Sequence, residues 1–101
     1  MNNEWTVTNH IALQRFEVRI DDQIAVLNYR IDGSRVTFFH AGVPQNLEGR
    51  GIGSAMARDA LEYAKTEHLE VVPLCPFVRA HIEKHPEYRP MVVREYRGLG
   101  P

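Results

Sequence analysis

Apolar and polar residues alternate through the first third of the chain. Phe16, Val18 and Ile20 are separated by Glu17 and Arg19, the two-residue period of a strand with one buried face. Asp21-Asp22-Gln23 breaks this run as a turn, and Ile24 to Ile31 resumes it with Ala25, Leu27, Tyr29 and Ile31 on one face. Asp32-Gly33 is a hairpin signal, because a type I′ turn needs positive φ and glycine adopts it without a Cβ clash. Val36 to Ala41 then completes an antiparallel meander of at least three strands, with a short strand around Trp5 to Thr8 as a candidate before it.

The period changes after Gly42. Residues 42–50, with Pro44, Gln45, Asn46 and Gly49, read as a loop. From Ile52, the residues Ile52, Met56, Ala60, Tyr63 and Ala64 fall at helical spacing, Ala57 and Leu61 widen the stripe, and Arg58, Asp59, Glu62 and Lys65 form the polar side. This helix is expected to end near His68. Leu69 to Leu74 follows as a valine-rich strand, parallel to the third strand through a crossover, with pairing interrupted at Pro73, which lacks an N–H. Pro76 is placed to open a second helix, with Val78 and Ile82 inward and Pro86 stopping it at His85. The stretch from Met91 to Pro101 is amphipathic at best through Met91, Val92 and Tyr96.

These elements fill 101 residues, which leaves room for one α/β domain spanning 1–101, its flexible tail at about 97–101. Hydrophobic residues at 44% and charged residues at 25% place the chain among globular proteins rather than disordered ones. Lys+Arg 12 against Asp+Glu 13 leaves a net charge of -1, without the cationic excess that nucleic-acid binding requires. Arg79, Lys84, Arg89, Arg94 and Arg97 are interleaved with Glu83, Glu87 and Glu95, as on a solvated face. No apolar run approaches the roughly 18 residues of a spanning helix. The start, Met1-Asn2-Asn3-Glu4-Trp5, has no basic or apolar leader, so a cytoplasmic protein with no membrane partner is expected. An open sheet edge is compatible with a monomer or a weak homodimer.

The most informative local sequence is Glu48-Gly49-Arg50-Gly51-Ile52-Gly53-Ser54-Ala55, at the junction of loop and long helix. Glycines there would let backbone N–H groups at the helix start approach a phosphate, with Arg50 adding a charge; they would equally serve a sharp turn alone. An ATPase-type phosphate loop is excluded, since Gly53-Ser54 lacks the lysine between them. A dinucleotide fold would need these glycines after the first strand of an alternating strand–helix chain, and here they follow a meander.

The order of meander, glycine loop, long helix, strand and helix resembles the GNAT superfamily of acyl-CoA-dependent N-acetyltransferases. The superfamily motif Gln/Arg-x-x-Gly-x-Gly/Ala is matched at both glycines by Glu48-Gly49-Arg50-Gly51-Ile52-Gly53, with glutamate at the first position. The chain is more specifically similar to small stand-alone N-acetyltransferase domain-containing proteins. That likeness rests on Tyr29, His40, Val43-Pro44, Leu47 through Gly53, Val72-Pro73-Leu74-Cys75-Pro76-Phe77 and His85-Pro86-Glu87-Tyr88. Where such proteins commonly carry His-Thr-Glu-Val-Pro, this chain has His40-Ala41-Gly42-Val43-Pro44.

The resemblance implies a minimal GNAT-like fold and an acyltransferase that moves an acetyl group from acetyl-CoA to an unidentified amine. The cofactor would be wedged between the splayed ends of the third strand and the Val71–Leu74 strand. Its implied binding set is Val43, Gly49, Arg50, Gly51, Ile52, Gly53 and Ser54, and a backbone N–H around residues 41–43 would stabilise the thioester oxyanion. The amine must first lose a proton, since its pKa is about 8 to 10.4. His40, at the end of the bordering strand, is the candidate base, or else a hydrogen-bonded strand histidine. Cys75, at the end of the neighbouring strand, is the candidate acetyl carrier or proton donor, or else a buried small hydrophobe. Tyr88 would close over the acyl end or, as we favour, plug the core. His81 and His85 have the spacing to present two imidazoles to zinc. No third ligand is evident and His-Ile-Glu-Lys-His misplaces the glutamate, so no metal is expected. A non-catalytic acyl-CoA-binding or protein-interaction module is the alternative from another class.

Overall fold

The computed structural model describes residues 5–96. Five strands form one sheet in sequence order: β1 (Thr8–His10), β2 (Arg15–Ile20), β3 (Gln23–Asp32), β4 (Arg35–Gly42) and β5 (Glu70–Pro73). The first four are antiparallel neighbours and β4 pairs with β5 in parallel, so the expected meander and crossover strand are both present. The long helix α1 runs Ile52–Thr66 and the second helix α2 runs Pro76–Lys84. The expected flexible tail at about 97–101 lies outside the described residues.

Three details differ from the sequence expectation. The early strand begins only at Thr8, since Trp5 to Val7 make no ladder. The second hairpin turns at Gly33-Ser34, with Asp32 still paired to Arg35; only Gly33 has positive φ (64°), as in a type II′ turn. The C-terminal stretch is more than an amphipathic tail. Val92 bridges Val71 in parallel and Val93 N–H donates to the Val71 carbonyl at 3.0 Å, so two buried valines cover the outer edge of β5.

Register explains how the core forms. Phe16 faces Leu27 and Val18 faces Ala25 across β2 and β3, while Tyr29 faces Phe38 and Val36 faces Val71 further along the sheet. All eight are buried on one sheet face, against Ile52, Met56, Ala60, Leu61 and Ala64 of α1 and Val78 and Ile82 of α2. Alternation of period two thus meets helical stripes on one side only. Among the described residues, neither α1 nor α2 packs on the opposite face. There Glu17, 4% exposed, is held by Arg15 Nε at 2.6 Å, His10 Nδ1 at 3.1 Å and Arg19 Nε at 3.2 Å. The hydrogen bond from Arg15 is the main reason that its carboxyl pKa lies below the ordinary 4.5. No helix among the described residues is long and apolar enough to cross a membrane.

The sheet is opened between β4 and β5 by two local features. Tyr29 pairs with Phe38 but Asn28 pairs with His40, so Phe39 is an extra residue in β4, a bulge. Across from it, the pairing of β5 ends at Pro73, Leu74 N–H turns back to the Val72 carbonyl, and Cys75 N–H makes a last bond to Phe38 at 2.9 Å. Beyond that bond β4 continues to Gly42 without β5 beside it.

Candidate active site

The end of β4, the loop after it, the start of α1 and the first turn of α2 border a cleft of about 600 Å³, and no residue of β5 lines it. Its walls are Ala41, Gly42 and Val43 from β4 and the following residue, Leu47 to Gly49 from the loop, Gly51 to Ser54 from the helix start, and Phe77 from α2. Gly49 and Gly51 have φ of 86° and 81°, a left-handed conformation that side chains disfavour, so this sharp entry into α1 accounts for glycine at both positions. The first helical bond runs from Ala55 N–H to the Gly51 carbonyl, and no side chain caps the helix. The N–H groups of Ile52, Gly53 and Ser54 therefore precede the ladder, at the positive end of a 15-residue helix without an acidic residue in its first turn.

Of the residues implied for cofactor binding, Val43, Gly49, Gly51, Ile52, Gly53 and Ser54 line this cleft together. Arg50 is exposed and lies outside the lining. Gly53 plays a different part from Gly51. A Cβ at Gly51 would meet open space, whereas one at Gly53 would lie 2.2 Å from the Phe77 ring, which rests on the bare Cα. Phe77 is the site residue that sequence reasoning did not single out. It lies off the Val78–Ile82 stripe of α2 and is 45% exposed; a large apolar residue on the polar side of a helix was the available signal.

The two catalytic candidates occupy contrasting surroundings. Because the bulge adds one residue, His40 sits with Asn28 on the helix-free face and is exposed, its Nε2 3.4 Å from where a Gly42 Cβ would stand. Gly42 lines the cleft, whereas His40 itself is not among its lining residues. Cys75 is 3% exposed within the core cluster, immediately before α2.

A second cleft of about 440 Å³ lies on the other side of the helix start, lined by Gly51, Ser54, Ala55, Arg58, His81, His85, Glu87 and Tyr88. The expected imidazole pair is adjacent, with ring centroids 4.4 Å apart, and Ser54 Oγ lies 3.4 Å from His81 Nδ1. Burial, aided by neighbouring His85 and Arg58, lowers the His81 pKa below 6.5. Tyr88 fills the core end of this region and donates its hydroxyl to Glu62 at 2.6 Å; burial and that carboxylate push its pKa up to about 12. No group of three or more His, Cys, Asp or Glu residues is placed to hold a metal among the described residues.

Residues 15–91, from the start of β2 through the 3-10 turns that follow α2, match the family model described as GCN5-related N-acetyl-transferase. The chain belongs to this family. Protein NATD1 of Mus musculus, Gallus gallus and Homo sapiens is 30% identical to it over 76 residues, 72% of this chain and 67–69% of theirs. A solution structure of a GCN5-like protein from Staphylococcus aureus has the same fold, with a TM-score of 0.68 over 95% of this chain and 89% of that one at 23% identity. Membership of an N-acetyltransferase family supports acyltransferase activity, and amines are the acceptors such a family uses.

Proposed function

We propose that this protein binds acetyl-CoA in the 600 Å³ cleft and transfers its acetyl group to an amine. The observation that carries the reading is the junction of two unlike surfaces in one cleft: an apolar wall of Ala41, Val43 and Leu47 from the end of β4 and the loop after it, and the uncapped start of α1. The apolar part suits a pantetheine arm, and the N–H groups of Ile52, Gly53 and Ser54 suit a pyrophosphate. Gly51, whose Cβ position is open, leaves room for those oxygens to approach. When bound, acetyl-CoA supplies a thioester carbonyl that an amine attacks. Val43 N–H, in the wall beyond the end of β4, is our candidate donor to the developing oxyanion. His40, exposed beside Gly42, takes the proton from the incoming amine; collapse of the adduct would break the C–S bond and release CoA as a thiolate that is protonated by solvent. The acceptor reaches it over the helix-free face of the sheet. Cys75 contributes packing in the core, in keeping with its burial.

Calorimetric titration with acetyl-CoA tests the reading, using wild type and Gly51→Asp. Aspartate tolerates the left-handed conformation better than most residues and places a negative charge at the helix start. Micromolar binding by wild type, weakened at least tenfold in the folded variant, is expected. Absence of wild-type binding at millimolar ligand would overturn the proposal. A second reading, acyl-CoA binding without transfer, is favoured by Gly42, which supplies no carboxylate beside His40. Release of free CoA thiol with a panel of amines separates the two.

A further inference from the structure

The two clefts share Gly51 and Ser54, so they form one path around the start of α1. Their chemistry differs along that path. The first is walled by Val43, Leu47, Ile52 and Phe77, whereas the second presents Arg58, His81, His85 and the Ser54 hydroxyl. Arg58 is four residues beyond Ser54 on the same helix side, with a side chain 64% exposed; its Nε stands 3.5 Å from Asp59 Oδ1, an exposed pair that a phosphate can compete with. His81, only 8% exposed, is a polar side chain sunk at the base of the second cleft; its hydrogen-bond partner, Ser54 Oγ, stands at 3.4 Å, close to the limit for such a bond.

We infer that the second cleft is a phosphate-monoester subsite that receives the 3′-phosphate of the acyl-CoA ribose through Arg58, His85 and the His81–Ser54 pair. The inference rests on the acyl-CoA reading of the first cleft and extends it. For a ligand whose arm lies along the end of β4 and whose pyrophosphate sits at Gly51, this neighbouring space, which shares Gly51 and Ser54, is open to the nucleoside end. A volume of about 440 Å³ falls in the range that holds small ligands. Arg58 carries a permanent charge with paired donors suited to phosphate. An imidazole donates an N–H even when neutral, so His81 serves without being protonated. Other charged groups also face the imidazoles: Lys84 on α2 adds to the positive side, and Glu87 Oε2 is 3.9 Å from His85 Nδ1. Glu62 is engaged by the Tyr88 hydroxyl. The consequence is discrimination between phosphorylated and unphosphorylated forms of the same cofactor.

The test compares acetyl-CoA with acetyl-dephospho-CoA, which lacks only that phosphate, by calorimetry on the full chain. Wild type, Arg58→Gln and His85→Gln are used, both substitutions being on exposed side chains that leave the core intact. Wild type is expected to bind acetyl-CoA about 10- to 100-fold more tightly than the dephospho form, the range of one or two charge-assisted hydrogen bonds. Each variant should reduce that ratio at least threefold by weakening acetyl-CoA binding, with the affinity for the dephospho form unchanged. Equal wild-type affinities, or a ratio untouched by both substitutions, would overturn the inference while the cofactor reading stands. Failure of wild type to bind either ligand would overturn both.

Discussion

Replacing Gly53 with alanine separates the part this residue plays in folding from its part in binding. The new Cβ would stand 2.2 Å from Cζ of Phe77 and 2.6 and 2.9 Å from the two Cε atoms. Ordinary contact begins at 3.4 Å, so the ring edge must retreat by about 1.2 Å, the difference between 3.4 and 2.2. What has to move is the tip of a side chain 45% exposed in the first turn of α2, not backbone or packed core. Alanine is favoured over glycine within a helix by about 0.5–1 kcal/mol. Tilting the ring outward exposes on the order of 40 Å² of apolar surface, which costs about 1 kcal/mol at 25 cal/mol/Å². These effects nearly cancel, so the expected change in stability is within about 1 kcal/mol, a melting shift of no more than about 4–8 °C. Binding should respond differently. The methyl group and the displaced ring both occupy the cleft beside the first-turn N–H groups, and the affinity for acetyl-CoA should fall at least tenfold. Urea unfolding and calorimetry on the same preparation measure the two quantities. A stability loss above about 3 kcal/mol, the upper end of overpacking penalties, would refute the argument that the ring yields. An unchanged dissociation constant would refute the placement of the cofactor against Gly53.

Glu17→Gln should lower stability at pH 7 by about 1–3 kcal/mol, because the remaining amide cannot satisfy the cations around it. The folded carboxyl pKa is depressed, chiefly by Arg15, so the contribution is full above 4.5 and lost as the pH falls through the lower folded value. Urea midpoints for wild type and variant should therefore draw together as the pH falls below 4.5, and a gap that did not narrow at all in acid would refute the ion-pair account. Tyr88→Phe should cost about 1 kcal/mol at neutral pH through loss of the bond to Glu62. With the phenol pKa raised from 10.0 to about 12, this contribution is full below 10 and lost as the pH rises toward 12. Wild-type stability should fall over that interval more steeply than the variant's, as alkaline unfolding followed by circular dichroism would reveal. For transfer itself, His40→Ala should reduce kcat by about 100-fold or more, the usual scale of a lost base. Cys75→Ala should alter kcat by less than threefold in steady-state assays with the same amine. The reverse pattern would favour an acetyl-cysteine route.

Much of the fold was legible because its elements carry regular periods. Ala25, Leu27 and Tyr29 alternate as one strand face, and Ile52, Met56, Ala60 and Ala64 recur at helical spacing; the structure buries both sets in one core. Pro73 marked the end of the parallel pairing, since a residue without an N–H interrupts the ladder wherever it stands. The Asp32-Gly33 signal located its hairpin but placed the turn one residue early. Strand pairing, rather than the dipeptide, decided that Asp32 would face Arg35 and that Gly33 would take the left-handed position. Nothing in the tail's composition marked Val92 and Val93 as edge cover for β5, because that depends on a strand over twenty residues away.

The sequence by itself determined the order of strands and helices, the faces they bury and the glycine-rich entry into α1, all of which follow from spacing and from the conformational limits of single residues. Tertiary structure alone decided the site. Counting by twos from Val36 and Phe38 turns His40 into the core; the Phe39 bulge, formed only when β4 pairs with β3, turns it out to the opposite face of the sheet. Cys75, which follows the end of β5, is drawn into the core by packing between sheet and helices. Gly53 received its bare surface because Phe77 from another helix came to rest on it, and Arg58, His81 and His85 met around one cleft because α2 docks beside α1. These placements are relations between distant segments. Local periodicity prescribes which face a residue takes within its own element, but only packing prescribes what that face meets.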